Sequence, residues 1–143
     1  MAETLFTKII DGELPGRFVW EDDVCVAFLT INPLTPGHTL VVPREPVDHW
    51  IDASAELRSH LFDVAHTISR AIDAAFDHER VGLAIAGLEV PHLHSHVAGI
   101  DSIEDLNFAN ADPDPGDESL AAAATALRNA LREQGADGVS DRG

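Results

Sequence analysis

At 143 residues the chain has the length of about one domain, and a 45% share of hydrophobic residues is enough to build a core. Twenty-five acidic residues against nine basic ones give a formal charge of −16, a field that repels nucleic-acid backbone and anionic membrane and so argues against both as partners. No apolar run reaches the roughly 18–20 residues that span a bilayer. The start Met1-Ala2-Glu3-Thr4 has neither the basic nor the apolar region of a secretory signal, and Cys25 as the only cysteine allows no intrachain disulfide, so the expected location is cytoplasmic. The acid coat reads as a solubility device, with adaptation to high salt as the alternative. Lys8 is the only lysine, so a phosphate-bearing ligand would have to be held by local dipoles and histidines.

Residues 4–10 predict a short helix or turn, closed by Gly12 and Pro15. Residues 18–20 predict a strand, Glu21-Asp22-Asp23 a turn, and residues 24–31 a strand apolar on both faces and therefore covered on both. Asn32-Pro33-Leu34-Thr35-Pro36-Gly37 is a loop, because two prolines and a glycine do not suit a central strand. A strand over 39–42 ends at Pro43. Asp52 or Ser54 can cap a helix running to about Phe76, whose apolar stripe is Leu57, Leu61, Val64, Ile68, Ile72 and Ala75. His60, His66 and His78, on or beyond it, read as surface histidines. Strands are expected over 81–85 and 90–97, then an Asp-, Pro- and Gly-rich loop over 110–119 and an alanine-rich helix from Leu120 to Leu131. The domain expectation is a single unit over 1–143, with its core over about 4–108, the last helix over about 118–134 and a frayed tail over 135–143. Several strands, one long helix and short connections predict an α+β fold with a mainly antiparallel sheet.

The chemistry is carried by Pro91-His92-Leu93-His94-Ser95-His96-Val97. On a strand, alternate side chains share a face, so His92, His94 and His96 are expected to project together at steps of roughly 6.8 Å. Imidazoles crowd badly into a core, because each ring has two polar nitrogens that need partners. Two functional readings follow. A His-x-His pair can take two positions on a zinc ion, with His38 as the best outside ligand. Alternatively, a neutral imidazole whose second nitrogen is held by a backbone carbonyl is a nucleophile for phosphorus, and neighbouring histidines donate to phosphate oxygens.

The run His92-Leu93-His94-Ser95-His96-Val97-Ala98 resembles the signature of the histidine-triad (HIT) family. The resemblance extends over residues 4 to about 100. It includes Thr4-Leu5-Phe6-Thr7-Lys8-Ile9-Ile10-Asp11-Gly12-Glu13-Leu14-Pro15, Trp20-Glu21-Asp22-Asp23 with Val26-Ala27-Phe28, and Pro33-Leu34-Thr35-Pro36-Gly37-His38-Thr39-Leu40-Val41-Val42-Pro43-Arg44. It implies a HIT-like fold, with a five-stranded antiparallel sheet, one long helix and a C-terminal helix, and a homodimer with a continuous ten-stranded sheet. It implies a hydrolase that cleaves at the α-phosphate of a purine nucleotide conjugate, a phosphoramidate or a dinucleotide polyphosphate, through a nucleotidyl-histidine on His94. By the same match His96 contacts phosphate, and His92 and His38 tune the hydrogen-bond relay. Phe6, Ile9, Leu14, Phe28, Thr30, Ile31, Gly87 and Glu89 fall at nucleotide-binding positions.

This chain departs from the family pattern at several of them. Thr30 stands where Hint-like members carry the acid that holds the ribose hydroxyls, and Glu89 stands where a serine is common, a position from which it could greet a cationic leaving group. No asparagine occurs over 81–87, and Gly99 replaces a common proline. Thr4 and Thr7 occupy the cysteine positions of zinc-bearing relatives and Pro46 that of a histidine, so neither a structural zinc nor another cofactor is expected. The alternatives carried forward are a nucleotide-binding module with little turnover, a nucleotidyltransferase, and a metal-binding protein using the His-x-His pair.

Overall fold

The computed structural model describes residues 3–143; Met1 and Ala2, part of the N-terminal reading, lie outside the described residues. The chain opens with helix α1 (Leu5–Ile10), which starts where it does because Thr4 caps it: the Thr4 hydroxyl accepts from the Thr7 backbone N–H, and Thr7 returns a bond to Thr4. Strands β1 (Phe18–Glu21), β2 (Cys25–Leu29) and β3 (Thr39–Pro43) follow, then helix α2 (Ala55–Ala75), capped by Ser54. Strands β4 (Arg80–Ala84) and β5 (Ser95–Ile100) and helix α3 (Asp117–Glu133) complete the fold. Among the described residues the sheet has five strands, all antiparallel, in the order β1-β2-β3-β5-β4. The architecture is therefore α+β as expected. Among the described residues no helix is long and apolar enough to cross a membrane.

The two faces of the sheet are built differently. Cys25, Ala27 and Leu29 of β2, Val41 of β3 and Val97 of β5 face the stripe Leu57, Leu61, Val64, Ile68 and Ile72 of α2 and Leu127 and Leu131 of α3. Each aliphatic side chain fully buried there stabilises the fold by about 1.5–3 kcal/mol. On the opposite face, Phe18, Val26, Phe28, Leu40 and Val42 form a smaller cluster under Phe6 and Ile10 of α1. Every residue of β2 is buried, as a strand apolar on both faces requires. α1 is only six residues long, so this second face is left partly uncovered, and the histidines lie there.

Two expectations fail. Residues 90–94 are not strand: β5 begins at Ser95, where Val41 pairs with Ser95 as the last rung against β3. Pro91 has no N–H to offer a ladder, and the partner carbonyl of Pro43 is taken instead by the His92 side chain at 2.7 Å. The 135–143 tail is not frayed. Val139 pairs with Trp20, the Phe18 N–H donates to the Arg142 carbonyl at 2.8 Å, and the Ser140 N–H donates to Val19 at 3.0 Å. Arg128 of α3 donates to the carbonyls of Phe18, Ser140 and Arg142, and the Arg142 guanidinium lies 3.7 Å from the Phe18 ring centre. The tail thus covers the otherwise open edge of β1.

Candidate active site

The imidazoles of His94 and His96 meet edge to face, 4.9 Å between ring centres, and His38 reaches His96 from the entrance to β3. His92 stands slightly apart, completely buried, with both nitrogens engaged: the Thr4 hydroxyl lies 2.8 Å from Nδ1, and Nε2 faces the Pro43 carbonyl. Both contacts are satisfied when Nε2 carries the proton and Nδ1 accepts from Thr4. No lone pair of His92 is then left for a metal, which removes the His92–His94 pair as the core of a zinc site. Thr4 thus holds His92 directly by a hydrogen bond.

The same accounting assigns every other ring. His94 Nδ1 faces the His92 carbonyl at 2.7 Å, so it carries the proton and leaves a bare lone pair on Nε2. His38 Nδ1 accepts the backbone N–H of Leu34 at 3.0 Å, so its proton sits on Nε2 and is donated to His96 Nδ1 at 2.9 Å. His96 therefore carries its own proton on Nε2, as a donor. This relay starts from one amide in the 32–37 loop, whose Pro33, Pro36 and Gly37 bend the chain back so that the Leu34 N–H meets the ring four residues on.

Burial keeps all of these rings neutral. It pushes His38 down to about 3, with His96 adding to the shift, and His96 down to about 4, with His94 adding to it. Burial also lowers His94, outweighing the His92 carbonyl and the charge of Glu89, which pull the other way. His92 is lowered by burial against the opposing effect of the Pro43 carbonyl.

Of the nucleotide-binding positions expected from sequence, Phe6 lies against the triad and Phe28 packs on Phe6. The Phe6 ring is 4.8 Å from His94 and 5.6 Å from Phe28, but both are buried, so they form the floor and not the lining. Ile9 is half-buried beside them and Leu14 is exposed. Thr30 is half-buried, and its hydroxyl accepts the Asn32 N–H; Ile31 is 71% exposed at the open rim. Gly87, at φ +74°, turns the 85–90 loop past His94; it lines a small cavity of about 170 Å³ with Asp48, His49, Trp50, Leu88 and His94. Glu89 is exposed on the same loop, and its charge reaches His94. Gly99 leaves room for His78, whose ring would collide with any Cβ there.

Sequence reasoning missed Phe108. Its ring lies 4.6 Å from that of His96 and 6.5 Å from that of His38. The available signal was one aromatic residue in an otherwise polar stretch. A larger groove of about 390 Å³ lies away from these rings, lined by Trp50, Phe62, Leu83, Ile85, Leu93 and Ser95. Among the described residues one further group of metal-ligating side chains occurs, Asp22, Cys25 and His60, with ligand atoms within 4.8 Å of one another. There Asp22 already accepts from the backbone of Val24 and Cys25, from Trp20 Nε1 and from His60 Nε2, which makes it the pin of the β1–β2 turn.

The HIT domain family model matches residues 11–103, well over half of the chain. The chain belongs to the HIT family. A HIT-like protein of Borreliella burgdorferi is 39% identical over 104 residues, 68% of this chain and 75% of its own length. Among solved structures, a histidine triad nucleotide-binding protein of Sulfolobus tokodaii superposes with a TM-score of 0.78 at 25% identity, covering 90% of this chain and 91% of that one. A zinc-bound histidine triad family protein of Mycobacterium smegmatis gives a TM-score of 0.78 at 28% identity, covering 92% and 94%.

Proposed function

We infer that this HIT-family protein is a nucleotide hydrolase that cleaves at the α-phosphate of a purine nucleotide conjugate, with His94 as the nucleophile. The observation that carries the reading is the His94 ring itself: Nδ1–H is clamped on the His92 carbonyl at 2.7 Å, and burial keeps the ring uncharged, so Nε2 offers its lone pair at neutral pH. In the first step Nε2 bonds to the α-phosphorus as the bond to the leaving group breaks; the departing amine or phosphate takes up a proton from solvent. His96, proton on Nε2, donates to a non-bridging phosphate oxygen, and His38 and Leu34 hold it in that tautomer. In the second step water attacks the nucleotidyl-histidine, the phosphorus–nitrogen bond breaks, and the nucleoside monophosphate, neutral His94 and one proton are released to solvent. Phe6 and Phe28 floor the base and ribose end, with Ile9, Leu14, Thr30 and Ile31 around it; Gly87 and Glu89 border the leaving-group end. The description of the S. tokodaii relative as nucleotide-binding agrees with this assignment.

A phosphoramidate is the favoured conjugate, because the Glu89 carboxylate beside His94 repels a polyphosphate leaving group more than an amine. A homodimer is favoured by the sheet edges: the 138–142 tail covers β1, while β4 is a free edge flanked by exposed Trp50, Phe62, Leu83 and Ile85. A cytoplasmic setting fits a lone, buried thiol at Cys25. The deciding experiment is mass spectrometry of protein quenched with adenosine 5′-phosphoramidate. The expected result is an adenylyl adduct on the peptide carrying His94, absent in His94→Asn; an adduct elsewhere, or equal turnover by both proteins, overturns the reading.

A further inference from the structure

Residues 102–112 leave β5 and form a strap back across the triad. Two 3-10 turns, Ile103–Leu106 and Phe108–Asn110, give it its shape, and each is pinned by a side chain. Asp105 accepts the N–H groups of Asp101 and Ser102, and Asn107 accepts that of Ala109. Leu106 packs over Gly82 on β4. The far end is tied to the relay loop: the Asp112 N–H donates to the Pro33 carbonyl at 2.9 Å, and Asn32 Nδ2 donates to the Asp112 carbonyl at 3.0 Å. The strap therefore joins the loop that supplies the Leu34 N–H to the edge strand, with Phe108 at its middle, over His96.

Phe108 is 41% exposed, yet one side of its ring is committed to two imidazoles. Around His96 the cross-strand neighbours Leu40 and Ala84 carry no charge, and the titratable groups that meet it are His38 and His94. The strap's acids are turned to other tasks or to solvent: Asp105 is spent on its own turn, Asp112 accepts the Asp114 N–H, and Glu104 is exposed. Phe108 is thus what the strap places against the relay.

We propose that Phe108 is a positioning residue of this site: its ring covers the His38–His96 hydrogen bond against water and holds the His96 imidazole in the orientation that keeps its Nε2–H free for the phosphate. A hydrogen bond between two neutral rings survives only where water does not compete for either nitrogen. With the cover removed, water reaches His96 Nδ1, the His38 tether weakens, and the ring gains both rotational freedom and access to its protonated state. The low position of the His96 titration, caused first by burial, agrees with this cover. The catalytic consequence rests on the function proposed above; the effect on the ring does not.

The test uses the full chain and two variants, Phe108→Ala and Asn32→Ala, the second loosening the strap without touching the ring. Histidine ring resonances are followed by NMR against pH, without substrate. In Phe108→Ala the His96 titration is expected to move up towards the ordinary imidazole value by about one pH unit or more, and in Asn32→Ala by less in the same direction. Phe108→Leu, which keeps an apolar cover, is expected to restore most of the wild-type curve. With adenosine 5′-phosphoramidate, Phe108→Ala is expected to lose on the order of tenfold in kcat, with a smaller change in KM and an acid limb shifted upward. His96 curves that superimpose in wild type and Phe108→Ala overturn the proposal, as does a Leu variant no better than Ala. Failure of the wild type to form an adduct on His94 would strike the proposed function alone, since the ring titration needs no turnover.

Discussion

Two clusters in this molecule bring chemistry-bearing side chains together, and they use them in opposite ways. At the β1–β2 turn, Asp22 sits among Trp20, Cys25 and His60; on the sheet's open face, His94 sits among His92, His96 and Phe6. Burial alone would raise the Asp22 carboxyl, but the N–H donors of Cys25, Trp20 and Val24 hold it at about 2, so it stays charged and fully occupied. Around His94 burial outweighs the His92 carbonyl and the Glu89 charge, so the ring is kept neutral with one nitrogen bonded and the other bare. A satisfied cluster makes structure. A cluster with one lone pair left over, held in place by its neighbours, can make a bond.

The sharpest way to break that contrast is to remove the bare nitrogen. In His94→Asn the amide can keep a bond to the His92 carbonyl but offers no nucleophile, so turnover of adenosine 5′-phosphoramidate is expected to fall by a factor on the order of a thousand or more. The thermal transition should move little. Residual activity within tenfold of wild type, measured as AMP release, would mean that another group attacks phosphorus.

The converse change belongs at the other cluster. Asp22→Ala strips acceptors from two backbone N–H groups, the indole and His60, and is expected to cost about 2–3 kcal/mol in urea denaturation while leaving kcat within about twofold. The signs of the two pH dependences also separate the clusters. Asp22 has a folded pKa depressed below its ordinary value of 3.8, so its contribution is complete above that pH and is lost as pH falls towards 2. The histidines are depressed below 6.5, so the unfolded chain binds their protons first, and stability already declines as pH falls below that value. Asp22→Ala should flatten the loss below pH 4 and leave the earlier one intact; a flattened early loss would put Asp22 in the histidine network.

His92 shows how far such assignments could be read from sequence. The alternation of His92, His94 and His96 identified the segment and its neighbours, because polar rings at that spacing have no comfortable place in a core. It did not reveal that the strand starts only at Ser95, since that depends on Pro43 ending β3 and on the His92 side chain taking a carbonyl that a backbone amide would have met. The long helix was legible to within two residues at its start, because a stripe at helical spacing and a cap at Asp52 or Ser54 are local signals, and Ser54 is the cap. The docked 138–142 tail was not: its partners on β1, Phe18, Val19 and Trp20, are far away in the chain. Phe108 was hidden because the strap that returns its ring to His96 is tied to the distant 32–37 loop.

A smaller perturbation sharpens the division of labour within the triad. Thr4→Val keeps the shape of the cap but leaves His92 Nδ1 without its donor and Thr7 without its cap acceptor. The expected cost is about 1–2 kcal/mol of stability. The expected loss in kcat is only a few-fold, because His92 acts through the carbonyl on which His94 rests. A loss as large as that of His94→Asn would place His92 in direct contact with the reacting atoms.

The smallest expected effect is a flattened pH profile, and it follows from the same burial. A histidine nucleophile with an ordinary titration would lose most of its activity between pH 7.5 and pH 5.5, as protonation takes the attacking lone pair. Here burial lowers His94 below the ordinary value and holds His96 at about 4, so the attacking lone pair stays available to lower pH than on an exposed imidazole. Once the spontaneous hydrolysis of the phosphoramidate is subtracted, kcat/KM from pH 8 to pH 6 is expected to vary less than an ordinary imidazole titration dictates, with the acid limb centred below 6.5. A limb centred at or above 6.5 would show that water reaches His94 as freely as it reaches an exposed imidazole. The clamp on the His92 carbonyl would then be orienting a ring that is charged for much of the time, and the contrast with Asp22 would reduce to two ordinary, solvated groups.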